Sequence, residues 1–454
     1  MTDEKIRVHC MGIGGSGMSA AASLAKSGGY NVDGCDLEST TPYMKVLKGI
    51  DVKHGHSKEH VEDSDILLVS PAIYFNKDKP EELKSARNVM TWQKFVGQYL
   101  MRGKDVIAVA GTHGKSTTTA MLSLAFEAAK KDPSAVVGAK VSDWESNYRY
   151  GKGENFIIEA DEFFDSFLNY RPDAAIINNI EFDHPDFFKD QKQMFASYKK
   201  FIKRLAGRKI LIYNMDSENL SKLVANLDTG GIRFVSYSTK DKSTDVFGQI
   251  VARSKNGTKF RVVSEKLDIN EDFEIRLTGD FNVSNSLGVI AMASLYSIKP
   301  AEVKESLKTF HGVSRRIEVL GKRKGVYVYD DYAHHPTEIR STLSALRQKH
   351  PRSKIFAVVE PHSYSRTKAL LRDYKGVFSD AGEVIVAPIF KARDTETFGV
   401  SEESIVKISG HKNIQYMDSF EKIVEYLAGS ARRGNVIIVM GAGKSHEISR
   451  KLLA

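Results

Sequence analysis

Lys115 and Ser116 stand directly after a glycine turn, Gly111-Thr112-His113-Gly114, which follows the apolar run Asp105-Val-Ile-Ala-Val-Ala110. The run is rich in β-branched residues and predicts a buried strand; a helix is expected from Lys115 or Ser116. Backbone N–H groups in such a turn, with the positive end of the helix dipole behind them, bind an anion such as phosphate. A lysine at this place reaches the terminal phosphates of a nucleotide, and the serine hydroxyl is placed to hold Mg²⁺. Thr117 completes the candidate nucleotide-binding run. The strict phosphate-loop pattern asks for a glycine five residues before Gly114; this chain has Val109 there.

Two further runs carry chemistry toward the same place. Asn155-Phe-Ile-Ile-Glu-Ala-Asp-Glu reads as a strand that releases Glu159, Asp161 and Glu162 at its end. Asp173-Ala-Ala-Ile-Ile-Asn-Asn-Ile reads as another, followed by Glu181-Phe-Asp-His184. Ligands of a parallel α/β sheet lie beyond the carboxyl ends of its strands. Three strands therefore deliver Lys115 with Ser116, Glu159 and His184 to one edge, with Ser116, Glu159 and His184 as candidate metal ligands. Thr278-Gly-Asp-Phe-Asn-Val opens a helix with Asn282 near its start, after a short hairpin expected between Ser254 and Ile275.

These groups need a scaffold on either side. In the N-terminal segment, Ile6 to Met11 and Tyr30 to Cys35 read as strands around Gly12, Gly14, Gly15 and Gly17. The glycines fit G-x-G-x-x-G, with Asp36 about twenty residues on. That motif says a diphosphate sits on this helix end, not whose diphosphate it is. A further strand starts at Asp65, and its loop carries Asn76 and Pro80. In the C-terminal segment, strands are expected at Val326–Tyr329, Ile355–Val359, Glu383–Pro388 and Asn435–Met440, the last running into the glycine turn Gly441-Ala-Gly443. Its loops carry Arg315-Arg316, His334-His335, His362 and Arg366. The whole predicts an α/β protein of three domains: a Rossmann-like N-terminal domain (1–103), a P-loop-type central ATPase domain (104–312) and a Rossmann-like C-terminal domain (313–454).

Composition narrows the function classes. The chain has 454 residues and a formal charge of +9, with its basic residues spread and no basic block interleaved with aromatics. That pattern suits anionic small-molecule substrates and argues against nucleic acid. Cys10 and Cys35 show no metal-ligand spacing and cannot build a disulfide framework, as in a reducing cytoplasm. The charged N-terminus is no signal peptide, and no apolar run is long enough for a membrane span.

The motifs MGIGGSGMSA, AGTHGKSTTT, IEADE, NIEFDH, GDFNVSN, RRIEVL, DDYAHHPTE, PHSYSRT and MGAG resemble, in order and over essentially the whole chain, those of the Mur ligase family. These are ATP-dependent enzymes that build the peptide stem of peptidoglycan. The N-terminal glycine turn, DDYAHHPTE, PHSYSRT and the short EADE-to-NNIE spacing are most similar to the alanine-adding members; the alternative is the recycling ligase that adds the tripeptide L-Ala-γ-D-Glu-meso-diaminopimelate. The resemblance implies UDP-N-acetylmuramate, ATP and L-alanine as substrates, Mg²⁺ as cofactor and a monomer or homodimer. It implies that Gly12, Gly14, Gly15, Gly17 and Asp36 hold the uridine diphosphate. Lys115 would contact phosphates; Ser116, Glu159 and His184 would serve the metals. Asn282 would lie by the adenine, Arg316 would reach the ATP phosphates, and His335, His362 and Arg366 would line the amino-acid pocket. Phe281 stands where the motif often has histidine, and neither Lys199 nor Lys200 is assigned as a carbamylated metal bridge.

Two other classes explain less. A Rossmann oxidoreductase accounts for Gly12 to Gly17 but leaves GTHGKSTTT and EADE idle. A nucleic-acid-binding module accounts only for the charge.

Overall fold

The computed structural model describes residues 5–75, 79–228 and 230–454; Asn76 lies outside them. Near-continuous apolar strands alternate with helices, and the described residues form three sheets. Strands buried on both faces read as such runs, which is why parallel sheets follow from them.

The first sheet has five parallel strands in the order Asp51–His54, Asn31–Asp36, Arg7–Met11, Ile66–Val69, Val89–Thr91. The third has six, with Val326–Asp331, Val436–Gly441, Ile355–Glu360, Glu383–Val386 and Ile414–Tyr416 parallel and Glu318–Arg323 antiparallel at one edge. The central sheet has ten strands. Its middle places Ala174–Ile177, Asp105–Ala110 and Asn155–Glu159 side by side and parallel. The expected hairpin between Ser254 and Ile275 is instead an antiparallel meander of three strands, Val246–Ser254, Gly257–Ser264 and Ile269–Ile275. Its first strand interrupts its apolar residues with Gly248 and Gln249 and is exposed toward its end, so no period-two alternation marks it.

Helix Ser16–Ser27 joins the first two domains. Met18, Ala22 and Ala25 pack into the core of the first sheet, while Ala20, Ala21 and Leu24 pack into one face of the central core. Small side chains on both faces allow close approach of two sheets. The N-terminus of this helix therefore points at the central domain: the Ser16 hydroxyl donates to Gly138 O at 2.6 Å, and Asn147 Nδ2 donates to Ser16 O at 2.6 Å. Among the described residues no helix is long and apolar enough to cross a membrane.

Candidate active site

The phosphate turn forms as expected, with one difference. Val109 is still inside the sheet, in register with Ile176 and Glu159. The turn therefore begins only at Gly111, which explains the missing glycine. Gly111 and Gly114 take φ of +133° and +79°, a region L-residues avoid. A Cβ on Gly114 would lie 2.8 Å from Asn285 Oδ1. Thr112 Oγ1 donates to Glu181 O, and His113 N donates to Asn179 Oδ1 at 2.8 Å, so the loop after Ile177 braces the turn. Helix Lys115–Ala128 follows.

Lys115 is 12% exposed and donates to Glu162 Oε2 at 2.9 Å. Burial opposes its charge, but Glu162, Asp161 and Glu159 hold the ammonium above its usual range. On one side of it, the Ser116 hydroxyl donates to Glu159 Oε1 at 3.0 Å, and Gly138 N donates to Glu159 Oε2 at 2.5 Å. Burial pushes the Glu159 carboxyl up against the pull of Lys115. On the other side, Asp161, Glu162 and His184 bring their ligand atoms within 4.8 Å of one another. His184 thus groups with Asp161 and Glu162, not with Ser116 and Glu159: the expected single ligand set is two sets flanking Lys115. Glu162 Oε1 is buried and unpartnered, and an orphaned carboxylate oxygen beside two more ligands fits a hard cation. Lys199 and Lys200 are exposed on helix Gln191–Ile202 and serve neither set.

The glycine turn of the first domain meets this site. Gly138 accepts from Ser16 and donates to Glu159, linking the end of helix Ser16–Ser27 to the acidic cluster. The glycines differ in what they do. Gly12 takes φ of +72°. A Cβ on Gly14 would strike Thr41 at 2.7 Å, and one on Gly17 would strike Trp92 at 2.3 Å, so Gly17 lets the helix pack against the indole. Gly15 has only Gly12 O nearby, at 3.4 Å, and is the N-cap of the helix. The Asp36 carboxylate accepts from Gly14 N at 2.7 Å and Glu38 N at 3.0 Å, so it holds the turn.

The third domain closes the cleft. Arg316 Nη1 donates to Glu338 Oε1 at 3.3 Å, and Glu338 Oε1 also lies 3.2 Å from His113 Nδ1. Thr337 Oγ1 donates to Glu181 Oε2 at 2.7 Å. Arg316, Thr117, Phe281 and Asn282 line a cavity of about 630 Å³ beside the phosphate turn. Asn282 Oδ1 and Asn285 Nδ2 are buried there without partners, an acceptor and a donor available to a ligand.

Two residues of the third domain stand in surroundings other than those expected. His335 does not join His362 and Arg366. It is the N-cap of helix Pro336–Lys349, its ring lies 4.7 Å from that of His113, and its Nε2 is buried without a partner. The neighbouring His334 takes that place, 5.6 Å from the His362 ring. Burial and Arg366 push His334 down to about 3 and His362 to about 4. The Arg366 guanidinium is held by internal partners. Its Nε donates to Asp183 Oδ1 at 2.6 Å, Nη1 to His362 Nδ1 at 2.8 Å and Nη2 to His184 Nδ1 at 3.3 Å. The turn Gly441-Ala-Gly443 is also filled from within, by Glu360 accepting from Gly443, Lys444 and Ser445 N–H groups. Glu181, Asp183, Glu338 and His334 were not singled out as site residues. For the first two a signal existed, since they share the strand-end run with His184.

The junction of central and third domains should depend on pH. Burial works against the His113 imidazolium, but Glu181 and Glu338 raise it to about 10. Glu338, on the third domain, is held well below its usual carboxylate range by His113 despite burial. The histidine contribution is full below its ordinary 6.5 and lost as pH rises through about 10. The glutamate contribution is present above its ordinary 4.5 and lost as pH falls well below that value. Docking through this pair is thus strongest between pH 4.5 and 6.5. Scattering measured across pH should show expansion on the alkaline side, and His113→Gln should flatten that limb; an unchanged limb rejects the assignment.

Family models describe the same three parts. Residues 7–98 match the Mur ligase family catalytic domain, 109–293 the Mur ligase middle domain and 315–443 the Mur ligase glutamate ligase domain. The chain belongs to the Mur ligase family and has its three-domain α/β fold. It is 36% identical over 439 residues, 95% of each chain, to the UDP-N-acetylmuramate–L-alanine ligase of Caldicellulosiruptor bescii. Among solved structures it is similar to the UDP-N-acetylmuramate-alanine ligase of Thermotoga maritima, with TM-score 0.80 and 26% identity over 99% of this chain and 98% of that one. The murein peptide ligase of Psychrobacter arcticus follows at TM-score 0.72 and 25% identity, with the same coverage.

Proposed function

We propose that this protein is an ADP-forming ligase that joins L-alanine to the lactyl carboxylate of UDP-N-acetylmuramate, in peptidoglycan precursor synthesis. The observation that carries the reading is the convergence of three domains on Lys115: the glycine turn reaches it through Gly138 and Glu159, and the third domain through Glu338 and His113. Full-length similarity to alanine ligases supports the acceptor.

A carboxylate is a poor electrophile. Transfer of the γ-phosphoryl group of ATP to it forms an O–P bond, releases ADP and leaves an acyl phosphate. The alanine amine then attacks the acyl carbon, loses a proton, and phosphate departs. Both partners of the first step are anionic, so Lys115 and the turn N–H groups must stabilise the transferring phosphoryl group. Asp161, Glu162 and His184, with Ser116 and Glu159 opposite, are the residues that would hold Mg²⁺, whose charge offsets that of the phosphates. Asn282 and Asn285 offer their free amide atoms to the adenine. Arg316 sits across the cleft from Lys115 as a second cation for the phosphates. His334 and His362, kept neutral by burial beside Arg366, can position the incoming amine by accepting a hydrogen bond from it, which an imidazolium could not.

The test is ADP release with UDP-N-acetylmuramate and a panel of acceptors. An apolar pocket shaped for one methyl loses about 1 kcal/mol with glycine and separates serine only modestly. The expected order is alanine, then serine or glycine, with the tripeptide inactive. Faster joining of the tripeptide would make the protein a recycling ligase instead.

A further inference from the structure

A second group of metal-ligating side chains lies under the N-terminal glycine turn, apart from the cleft just described. Cys35 is buried near the end of strand Asn31–Asp36. Its sulfur is 3.2 Å from His56 Nδ1. Glu82 is only 3% exposed, and its Oε1 lies 3.8 Å from the same His56 nitrogen and has no hydrogen-bond partner. The ligand atoms of Cys35, His56 and Glu82 all fall within 4.8 Å of one another. On the other flank of the sulfur, His9 Nε2 lies at 3.3 Å, its ring fixed by Asp33 Oδ1 at 2.8 Å from Nδ1.

An unpartnered, buried carboxylate oxygen is costly unless something compensates it. A tetrahedral ion with Zn–S near 2.3 Å and Zn–N near 2.0–2.1 Å separates its sulfur and nitrogen ligands by about 3.5 Å, close to the 3.2 Å between Cys35 and His56. One thiolate, one imidazole and one carboxylate select Zn²⁺ or a similar ion over Mg²⁺. Two anionic ligands also neutralise a divalent charge in a buried place, which the flanking set of His9, Cys35 and His60 would not.

We propose that Cys35, His56 and Glu82 form a binding site for a transition-metal cation of the Zn²⁺ class, with His9 flanking the sulfur. On binding, the Cys35 S–H bond breaks, the proton leaves to solvent and the sulfur electron pair goes to the metal. The Cys35 carbonyl accepts the N–H groups of Gly12 at 2.8 Å and Ile13 at 3.1 Å. The cation therefore ties three chain segments together directly beneath the glycine turn, and its role is structural.

Co²⁺ added to the metal-free full-length protein tests this. A near-ultraviolet thiolate-to-cobalt band should saturate at one equivalent, bleach on adding Zn²⁺ and persist in excess Mg²⁺. Asp161, Glu162 and His184 contain no sulfur and cannot produce that band. The chain has only two cysteines; Cys10→Ser should keep the band and Cys35→Ser should lose it. Glu82→Gln and His56→Ala should each raise the half-saturating Co²⁺ concentration about tenfold or more. His56 lies at the rim, so its variant carries the test if Cys35→Ser fails to fold. No band in the wild type, a band surviving Cys35→Ser, or half-saturation unchanged in both other variants would overturn the site.

Discussion

Lys115→Ala should reduce ADP formation by roughly hundreds-fold or more while the protein stays folded. Among the described residues the lysine is the one cation that acts on both acidic sets around the phosphate turn, through Glu162 directly and Asp161 and Glu159 by charge. Loss of a single preorganised charge contact at a phosphoryl-transfer site has this magnitude, because no solvent is positioned to replace it. Three carboxyl groups would also lose their counter-charge. Glu159 and Glu162, already pushed up by burial, would rise further and weaken as ligands. The measurement is ADP release at saturating substrates, with circular dichroism and thermal unfolding as fold controls. Near-normal turnover in a folded variant would remove Lys115 from the mechanism.

Asp183→Ala should open the molecule. Asp183 and Arg366 have side chains 7% exposed each, and their 2.6 Å contact crosses from the central to the third domain. Removing one partner of a buried pair leaves an uncompensated charge, at a cost of about 3–5 kcal/mol. Here the guanidinium can regain water if the two domains part, so the cost falls on the closed arrangement. A shift of that size lowers the ratio of closed to open molecules by a factor of about 100 or more. Small-angle scattering with nucleotide and nucleotide sugar bound should show compaction in the wild type and none in Asp183→Ala, and kcat/KM should fall in step. The double variant Asp183→Ala with Arg366→Met should recover much of the closure, since removing both charges is far less harmful than removing one. Equal compaction in wild type and Asp183→Ala would show that the pair does not control closure.

The parts of this protein legible in its residues are those whose physics is local. A glycine that must take positive φ, a lysine and serine at the first turn of a helix, and an apolar run that must be buried each declare themselves within ten residues. The strand preceding Lys115, the helix after it and the delivery of Glu159 and His184 to the same sheet edge follow from such signals and the parallel topology they imply. Three domains followed from the alternation of strand and helix, and the family from motif order.

Other features required distant residues to meet. Arg366 and Asp183 are far apart in the chain, and nothing near either one announces that a guanidinium will be taken by an internal carboxylate. His334 and His335 are adjacent and chemically identical; helix capping turns one toward the phosphate turn and leaves the other beside Arg366. Gly17 belongs to a diphosphate motif and Gly443 to a glycine turn before a helix, yet packing against Trp92 and capture of Glu360 decide what each meets. Cys35 has no ligand spacing in sequence, because His56 and Glu82 reach it from separate connections after different strands. Local backbone preference is encoded in neighbouring residues, whereas the partner of a buried charge is set by which surfaces the sheets bring together.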